Sequence, residues 1–582
     1  MARQAAGGSR GGPAERHAAL LERRGRFAVA RPLFERGEQV ALDRKVRAAE
    51  GQIAWVEFRG GRGRLIRQLG RGDNARDVSE ALVLERLGRR GFPKKVEAEA
   101  ESAADSPLLD AERRDLTSLA TFTVDPSTAR DFDDAVSARA EGDGLRLWIH
   151  IADVAAYVRP GSALEALAAE RANSTYVPTS VEPMLPKVLS AGVCSLSPGD
   201  ERLAVTTEIL LSGSGEVESA SFYRSRIRSD ARLDYDQLDR IFAGREDPPG
   251  VVSQEIRLAR QASAALAARR EPNRLEVTSS EPGFTFDAEG NVTSATADLQ
   301  TDAHRLIEYL MVLVNEQVAT VLERQRVPTL YRVHEQPDPD RIERLAAQLA
   351  SLDLPAPAIT SGMGPSEAGR YAVEASRRVA AEAARRGHGA VPFGSLILRS
   401  LKPARYSPRN LGHAGLGSTA YCHFTSPIRR FPDLLVHRGL LSVTGGGEEA
   451  PDTGAVGEAA EHCSEREREA ARLERDADDI CAAFLLEREL FERGWESKFE
   501  GEVSGVIGAG AFVAFGGELG DAYEGFVPVR RMRSDHFDLN EEETALIGAR
   551  RGRTVRFGDP VTVTVDRVDP VRGRVDLSPA EG

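Results

Sequence analysis

Four aspartates, Asp125, Asp131, Asp133 and Asp134, fall within ten residues of one another in the segment TFTVDPSTARDFDDAV. An apolar run leads straight into them, so the cluster sits where the chain is expected to enter a core. Carboxylates at this density repel, and two arrangements hold them together: divalent cations, or several fixed cationic side chains. Arg130 is the immediate counter-charge, one cation against three crowded aspartates. A few hard oxygen ligands suit Mg²⁺, which keeps part of its water and takes phosphate oxygens as further ligands. A solvated acidic turn, or aspartates capping a following helix, would give the same local pattern.

Three other segments carry candidate chemistry. In YCHFTSPIRRFPDLLVHRGL, Ser426 is a natural N-cap and Pro427 a first helical residue, which predicts a helix start there. Its free N–H groups, with Arg429 and Arg430, would make an anion site. The competing reading pairs Arg429 with Asp433 one turn on. In ANSTYVPTSVEPMLP, prolines bound the loop that carries Tyr176, so the ring is held rigidly, either as a stacking surface or as packing. In TDAHRLIEYLMVLVNEQVATVLER, Leu306, Leu310, Met311, Val314, Val318 and Val321 form the apolar stripe of a helix. Glu308 and Asn315 share one face of that helix and would be costly there unless something hydrogen-bonds them. An apolar strand ending in Asp also opens the site of haloacid-dehalogenase-like phosphatases. There a second Asp follows two residues on, where this chain has Ser127.

These residues need elements to hold them. After the aspartates, EGDG marks a tight turn and LRLWIHIADV a strand, with Leu145, Leu147, Ile149 and Ile151 on one side and Arg146, Trp148 and His150 on the other. Ahead of them, FAVARPLF, EQVAL, GQIAWVEF and GRGRLIRQLG read as the short strands of a small β-barrel. Trp55 and Phe58 lie among its arginines as candidate base-stacking residues. A helix is expected from about Asn74 to Leu87, then a connector, and a long helix from Val456 to Trp495. From KFEGEVSGVIGAGAFVAF onward the pattern turns to period two with frequent glycine, a second five-stranded barrel with Phe512 and Phe515 as its candidate stacking residues.

A chain of 582 residues exceeds one core, and its 41% apolar and 29% charged residues are those of a globular protein. No segment has the length and apolarity of a membrane span, and the N-terminus lacks the apolar core of a secretion signal. Four scattered cysteines, Cys194, Cys422, Cys463 and Cys481, form no C-x-x-C pair, which fits a reducing cytoplasm rather than a disulfide framework or a cysteine zinc site. The net charge of −13 argues against indiscriminate nucleic-acid binding, but residues 1–100 hold 22 Lys/Arg against 13 Asp/Glu. A basic end on an acidic body leaves room for a polyanion at that end.

Taken in order, DxxxARDFDDA, HIADVAAYVRPGS, YVPTSVEPMLPKVLSAGVCSLSPGDERLA, HRLIEYLMVLVN, LYRVHEQP and NLGHAGLGSTAYCHFTSPIRRFPDLLVHR resemble the catalytic domain of the ribonuclease II/ribonuclease R (RNB) family. The first barrel is similar to that family's cold-shock-type OB domain, and the last to an S1 RNA-binding domain. The resemblance implies an α+β multidomain chain: a basic flexible tail at 1–24, an OB-like barrel at 25–75, a helical connector at 76–115, an RNB catalytic domain at 116–497 and an S1-like OB-fold barrel at 498–582. It implies a processive, metal-dependent 3′→5′ exoribonuclease that hydrolyses single-stranded RNA to nucleoside 5′-monophosphates. The expected metal is Mg²⁺ at a two-ion site, with Mn²⁺ an alternative. The enzyme would be cytoplasmic and active as a monomer.

Carried over by motif, Asp125, Asp131, Asp133 and Asp134 are the metal quartet, with Asp133 the indispensable member. Tyr176 stacks on the 3′-terminal base, Arg429 lies beside the scissile phosphate with Arg430 next to it, and Glu308 lies near the terminal ribose. A catalytically silent RNA-binding protein of the same fold is the alternative, and loss of a quartet member would be its mark. The chain departs from the family in three places. There is room for one N-terminal OB domain rather than two. Val277, in NRLEV, stands where many members have a stacking Phe. No basic tail follows the S1-like segment, which itself counts 10 Lys/Arg against 15 Asp/Glu.

Overall fold

The computed structural model describes residues 15–580 apart from 26, 36, 43–48, 108–111, 278–280, 299, 518–520, 533–534 and 551. Strands β1 (Glu15–Arg24), β2 (Phe27–Pro32), β3 (Val40–Leu42), β4 (Gln52–Arg59) and β5 (Arg62–Arg71) close into a barrel in the order β1-β2-β3-β5-β4. The barrel therefore begins ten residues earlier than expected, inside the segment taken as a flexible tail; residues 1–14 lie outside the described residues. In ERHAALLERR the arginines and glutamates occupy the ends, while Ala18, Ala19 and Leu21 are buried and pair the strand with β2 and β4. Gly63 is required in this barrel, because a Cβ there would come within 2.8 Å of Leu42 and 2.9 Å of Val40.

Helix α1 (Ala75–Leu87) is capped by the Asn74 side chain and ends on Gly88 at φ +69°, a left-handed position that glycine occupies without strain. Helix α2 (Lys94–Asp105) completes the connector. The central region is built on a seven-stranded sheet. Its strands are β6 (Arg114–Asp115), β7 (Phe122–Asp125), β8 (Asp134–Glu141), β9 (Gly144–Ala152), β12 (Glu201–Leu211), β13 (Val217–Arg228) and β14 (Ala231–Asp234), in the order β14-β7-β8-β9-β12-β13-β6. Between β9 and β12 come α3 (Ala163–Arg171) and the hairpin β10 (Thr175–Val177) and β11 (Ser180–Glu182).

Helices α4 (Tyr235–Phe242) and α5 (Ser253–Arg270), the hairpin β15 (Glu281–Phe286) and β16 (Val292–Asp298), and α6 (Asp302–Gln325) follow. Helix α6 buries Leu306, Leu310, Val314 and Val318, as its spacing predicts. The two-stranded sheet β17 (Tyr331–Val333) and β18 (Arg405–Ser407) encloses α7 (Pro339–Ser351), α8 (Pro365–Arg386) and α9 (Ala390–Ser400) in the chain. Helices α10 (Phe431–Val443) and α11 (Thr453–Arg493) end this region.

Strands β19 (Lys498–Ile507), β20 (Gly510–Phe515), β21 (Tyr523–Pro528), β25 (Pro560–Asp569) and β26 (Arg574–Pro579) close the second five-stranded barrel. The small sheet β22 (Phe537–Leu539), β23 (Ala545–Gly548) and β24 (Thr554–Arg556) is inserted between β21 and β25. Helix α11 links the parts: it packs on α1 and Trp55 through Leu473, Ala477 and Ile480, and on the C-terminal barrel through Ala483, Leu486 and Leu490. Among the described residues no helix is long and apolar enough to cross a membrane.

Candidate active site

The aspartates are brought together by two neighbouring antiparallel strands and the loop that joins them. Asp125 ends β7 and Asp134 begins β8, so both lie at the same end of the sheet. The loop between them is fastened from beneath. Phe132 is buried, its N–H donates to Ser195 Oγ at 3.0 Å, and Ser195 Oγ donates to the Arg130 carbonyl at 2.9 Å. The Leu196 N–H closes on the Phe132 carbonyl at 2.9 Å and the Ala152 N–H on the Asp133 carbonyl at 2.9 Å. With Phe132 anchored, Asp131 and Asp133 on either side of it line the same cavity as Asp125 and Asp134.

That cavity has a volume of about 1600 Å³. Its walls come from the sheet end, α6, the β10–β11 hairpin, β15, α11 and, through Glu524, the C-terminal barrel. Asp133 is 4% exposed; Oδ1 accepts the Ile428 N–H at 2.9 Å, and Oδ2 faces Arg429 Nε at 3.7 Å. Tyr176, on β10, donates its hydroxyl to Asp131 Oδ2 at 3.2 Å. Asp125 Oδ2 and Asp134 Oδ2 are buried without a hydrogen-bond partner.

Such groups favour the neutral form unless a cation joins them. Burial, with Asp134 and Asp133 adding repulsion, pushes Asp125 up to about 8. Burial likewise pushes Asp134 up to about 7, against the pull of Arg429, and raises Asp133 well above the usual carboxylate range. Four hard-oxygen side chains, two of them with an orphaned oxygen, fit a divalent oxophilic cation.

The loop before α10 differs from its expected form. The helix starts at Phe431, not Pro427, and Arg430 occupies its cap position. A helix begun at Pro427 would carry Pro432 in its interior, where the ring clashes with the carbonyl four residues back and no N–H is available. Residues 426–429 instead form a turn, with the Arg430 N–H on the Ser426 carbonyl at 3.0 Å. Asp433 reaches back to accept the Ser426 N–H at 2.8 Å and holds Arg430 bidentately at 2.7 and 2.9 Å. The competing Arg429–Asp433 pair does not form: Asp433 takes Arg430 instead, and Arg429 is left to face Asp133 from a half-exposed position.

A model of the RNB domain matches residues 113–445, and a model of the S1 RNA binding domain matches residues 496–579. The chain belongs to the RNB family. Ribonuclease R of Escherichia coli (strain K12) is 35% identical over 507 residues, which is 84% of this chain and 60% of that protein. Ribonuclease R of Aquifex aeolicus is 34% identical over 530 residues, 89% of this chain and 72% of the relative. The chain thus spans under two thirds of the length of the E. coli relative.

The fold is shared with Mycoplasma genitalium RNase R solved with ribose-methylated single-stranded RNA, at TM-score 0.85 and 24% identity over 97% of this chain and 89% of that one. It is shared also with yeast Ssd1, a pseudonuclease, at TM-score 0.66 and 16% identity over 92% and 68%.

In this RNB-family chain the structure gathers Asp125, Asp131, Asp133, Asp134, Tyr176, Glu308, Arg429 and Arg430 around one cavity. Glu308 pairs with Arg274 at 3.2 Å, and Asn315 donates to the Tyr421 hydroxyl at 3.1 Å while accepting the Phe424 N–H at 2.9 Å. The polar face of α6 is thereby satisfied. Arg430 has one edge spent on Asp433, so it braces the loop that carries Arg429.

Three of the four barrel aromatics, Trp55, Phe58 and Phe515, are packed inside the protein rather than offered for stacking. Trp55 is 7% exposed and packs on α1, and Phe58 packs against the barrel interior with its ring 5.4 Å from that of His17. Phe515 is fully buried in the second barrel, and Phe512 is half-buried against Phe526 at 5.0 Å. Trp55, Phe58 and Phe515 serve the cores here, while Phe512 lies on the opposite face of its strand from Phe515, outside that core. Val277 packs among the α7–α9 helices and lines a separate cleft with Val379 of α8. Two contributors gave little local signal: Glu474 of α11, which accepts the Tyr176 N–H at 2.8 Å across 298 residues, and Asp433 as the partner of Arg430. Arg274, the partner of Glu308, stands three residues before Val277 in NRLEV and carries no local sign of that pairing.

Proposed function

We propose that this chain is a processive, metal-dependent exoribonuclease that shortens single-stranded RNA from its 3′ end to nucleoside 5′-monophosphates, working as a monomer in the cytoplasm. The observation that carries the reading is the aspartate quartet, with the Asp125 and Asp134 Oδ2 atoms unpartnered, beside Arg429 and Tyr176 in a cavity large enough for several nucleotides. Asp125, Asp131, Asp133 and Asp134 would hold Mg²⁺ (Mn²⁺ is the alternative), which when bound supplies the activation of water and the neutralisation of charge at the scissile phosphate.

The chain's own side chains do the rest. Arg429 is positioned to hold a phosphate oxygen near Asp133, adding fixed positive charge where negative charge develops. The Ile428 N–H orients the Asp133 carboxylate. Tyr176, fixed by Glu474 behind and Asp131 in front, offers a ring face to the terminal base. Glu308, steadied by Arg274, is an acceptor for a ribose hydroxyl, and the 2′-OH is what separates RNA from DNA. Contacts of these kinds address phosphate, sugar and ring face, so they predict little dependence on base sequence.

The likeness to a pseudonuclease means that the fold alone does not carry the activity, and a silent RNA-binding protein is the second reading. The complete quartet weighs against it. The test is incubation of uniformly labelled single-stranded RNA with the protein, in Mg²⁺ and in chelator, beside Asp133→Asn. Mononucleotides only with metal and parent protein, with RNA binding retained by the variant, are expected. Equal digestion by Asp133→Asn would overturn the assignment, and no digestion by the parent would favour the silent reading.

A further inference from the structure

We infer that Phe284 is a second base-stacking surface of the cavity, one that grips the strand several nucleotides from its 3′ end; this role rests on the RNA reading given above. Four aromatic residues line the cavity: Tyr176, Tyr235, Phe284 and Tyr421. Two of these rings are committed to the protein. Tyr421 is 6% exposed and its hydroxyl accepts from Asn315, while Tyr235 lies face to face with His304, the centroids 3.9 Å apart. Tyr176 serves the terminal base, which leaves Phe284. It is half-buried, lines the cavity beside Pro282 and Gly283, and meets no other ring among the described residues.

The β15–β16 hairpin that carries Phe284 is fastened to the helices on either side. Asn74, the cap of α1, donates to the Glu289 carbonyl at 3.1 Å and to Asn291 Oδ1 at 3.2 Å, and the Arg76 N–H meets the Gly290 carbonyl at 3.3 Å. From α11, Arg488 donates to the Val292 carbonyl at 3.3 Å. Phe284 itself packs on the cluster of Ala75, Val292 and Cys481. A ring held in this way has little freedom left to lose when a base stacks on it.

Charge leaves stacking as the grip at this end of the cavity. Arg429 and Arg430 stand by the aspartate quartet. Between Glu474, which holds Tyr176, and Cys481, in the cluster under Phe284, α11 lines the cavity with Asp476, Asp478 and Asp479 against Arg475 alone. Phosphates gain little from such a wall, whereas every base has a π-face to offer a ring. Glu474 and Cys481 are about 10 Å apart along the helix at about 1.5 Å per residue. Bases along a strand are about 3.4 Å apart, so Phe284 lies roughly three steps from the base on Tyr176.

The test is fluorescence anisotropy with the full chain carrying Asp133→Asn, in Mg²⁺, so that the strand is not consumed. The probe is a 5′-labelled oligouridylate in which one base at a time is replaced by an abasic sugar. Affinity falls roughly tenfold when the 3′-terminal base is missing, and again when a base about four positions from the end is missing. Phe284→Leu keeps the apolar packing and removes the ring. It weakens the intact strand roughly tenfold and abolishes the second loss alone, Phe284→Trp retains both losses, and Tyr176→Ala abolishes the first alone. Circular dichroism checks that each variant is folded. A loss at the 3′-terminal base only, or a second loss that persists in Phe284→Leu, would overturn the role of Phe284 and leave the nuclease reading standing. Failure to bind any strand would overturn both.

Discussion

Two sets of buried aspartates in this chain are solved in opposite ways. Asp153 is fully buried and lies 2.7 Å from Arg113 and 3.0 Å from Arg224, while Asp433 is fully buried and held by Arg430 and the Ser426 N–H. Each brings its own cation from the chain. Asp125, Asp131 and Asp134 form no ion pair among the described residues, and Asp133 meets Arg429 only at 3.7 Å. The difference separates carboxylates that hold a fold from carboxylates that wait for a charge from solution. A structural carboxylate left in the second condition would simply be lost stability.

The sharpest way to break the contrast is to remove a carboxylate from each set. Asp433→Ala should cost about 3–5 kcal/mol, because Arg430 is left buried and unpaired. Chemical denaturation in metal-free buffer at pH 8 reads this. In the same buffer Asp125→Asn should instead raise the midpoint, since it removes a repelled, desolvated charge. If both variants lose stability alike, the two sets are not distinct.

Tyr176→Ala should lengthen the smallest RNA product, one base–aromatic stack being worth about 1–3 kcal/mol. Tyr176→Phe keeps the ring and loses only the hydroxyl contact to Asp131, so its product ladder should match the parent. High-resolution gels of the limit products check both, and an unchanged ladder in Tyr176→Ala would remove the tyrosine from the grip.

Stability against pH gives the most graded effect. Asp125 and Asp134 have native values raised to about 8 and 7, so the metal-free native state holds extra protons. Their contribution is complete at low pH and is lost as pH rises from about 4 through 8. Buried His150 and His437, lowered by burial to about 3 and 4, act in reverse: their contribution is present above about 6.5 and lost as pH falls toward 4. Each group changes stability by about 1.4 kcal/mol per pH unit within its window. Between about pH 4 and 6.5 the two sets oppose and largely cancel, so metal-free melting curves should fall in an alkaline limb from about 6.5 to 8, which Mg²⁺ removes. An alkaline limb indifferent to Mg²⁺ would count against a cation site.

Much of this arrangement could be read from the chain before folding. The quartet, Tyr176, Glu308 and Arg429 were legible because each sits in a motif with local chemistry, and α6 because its stripe, Leu306 to Val321, spans about four turns. The Arg429–Arg430 exchange was not legible, since it turns on which of two adjacent arginines reaches Asp433. Strand β1 was hidden by its charged ends, and the barrel aromatics by the fact that a strand aromatic reads alike on either face. Glu474 reaches Tyr176 only through the fold.

The central claim is that the quartet binds divalent cations, and titration of Mn²⁺ into the full chain, followed by electron paramagnetic resonance, tests it most directly. Saturable binding of one or two ions at neutral pH, competed by Mg²⁺ and lost in Asp134→Asn, is the predicted result. No saturable binding, or binding undiminished in Asp134→Asn, would contradict it.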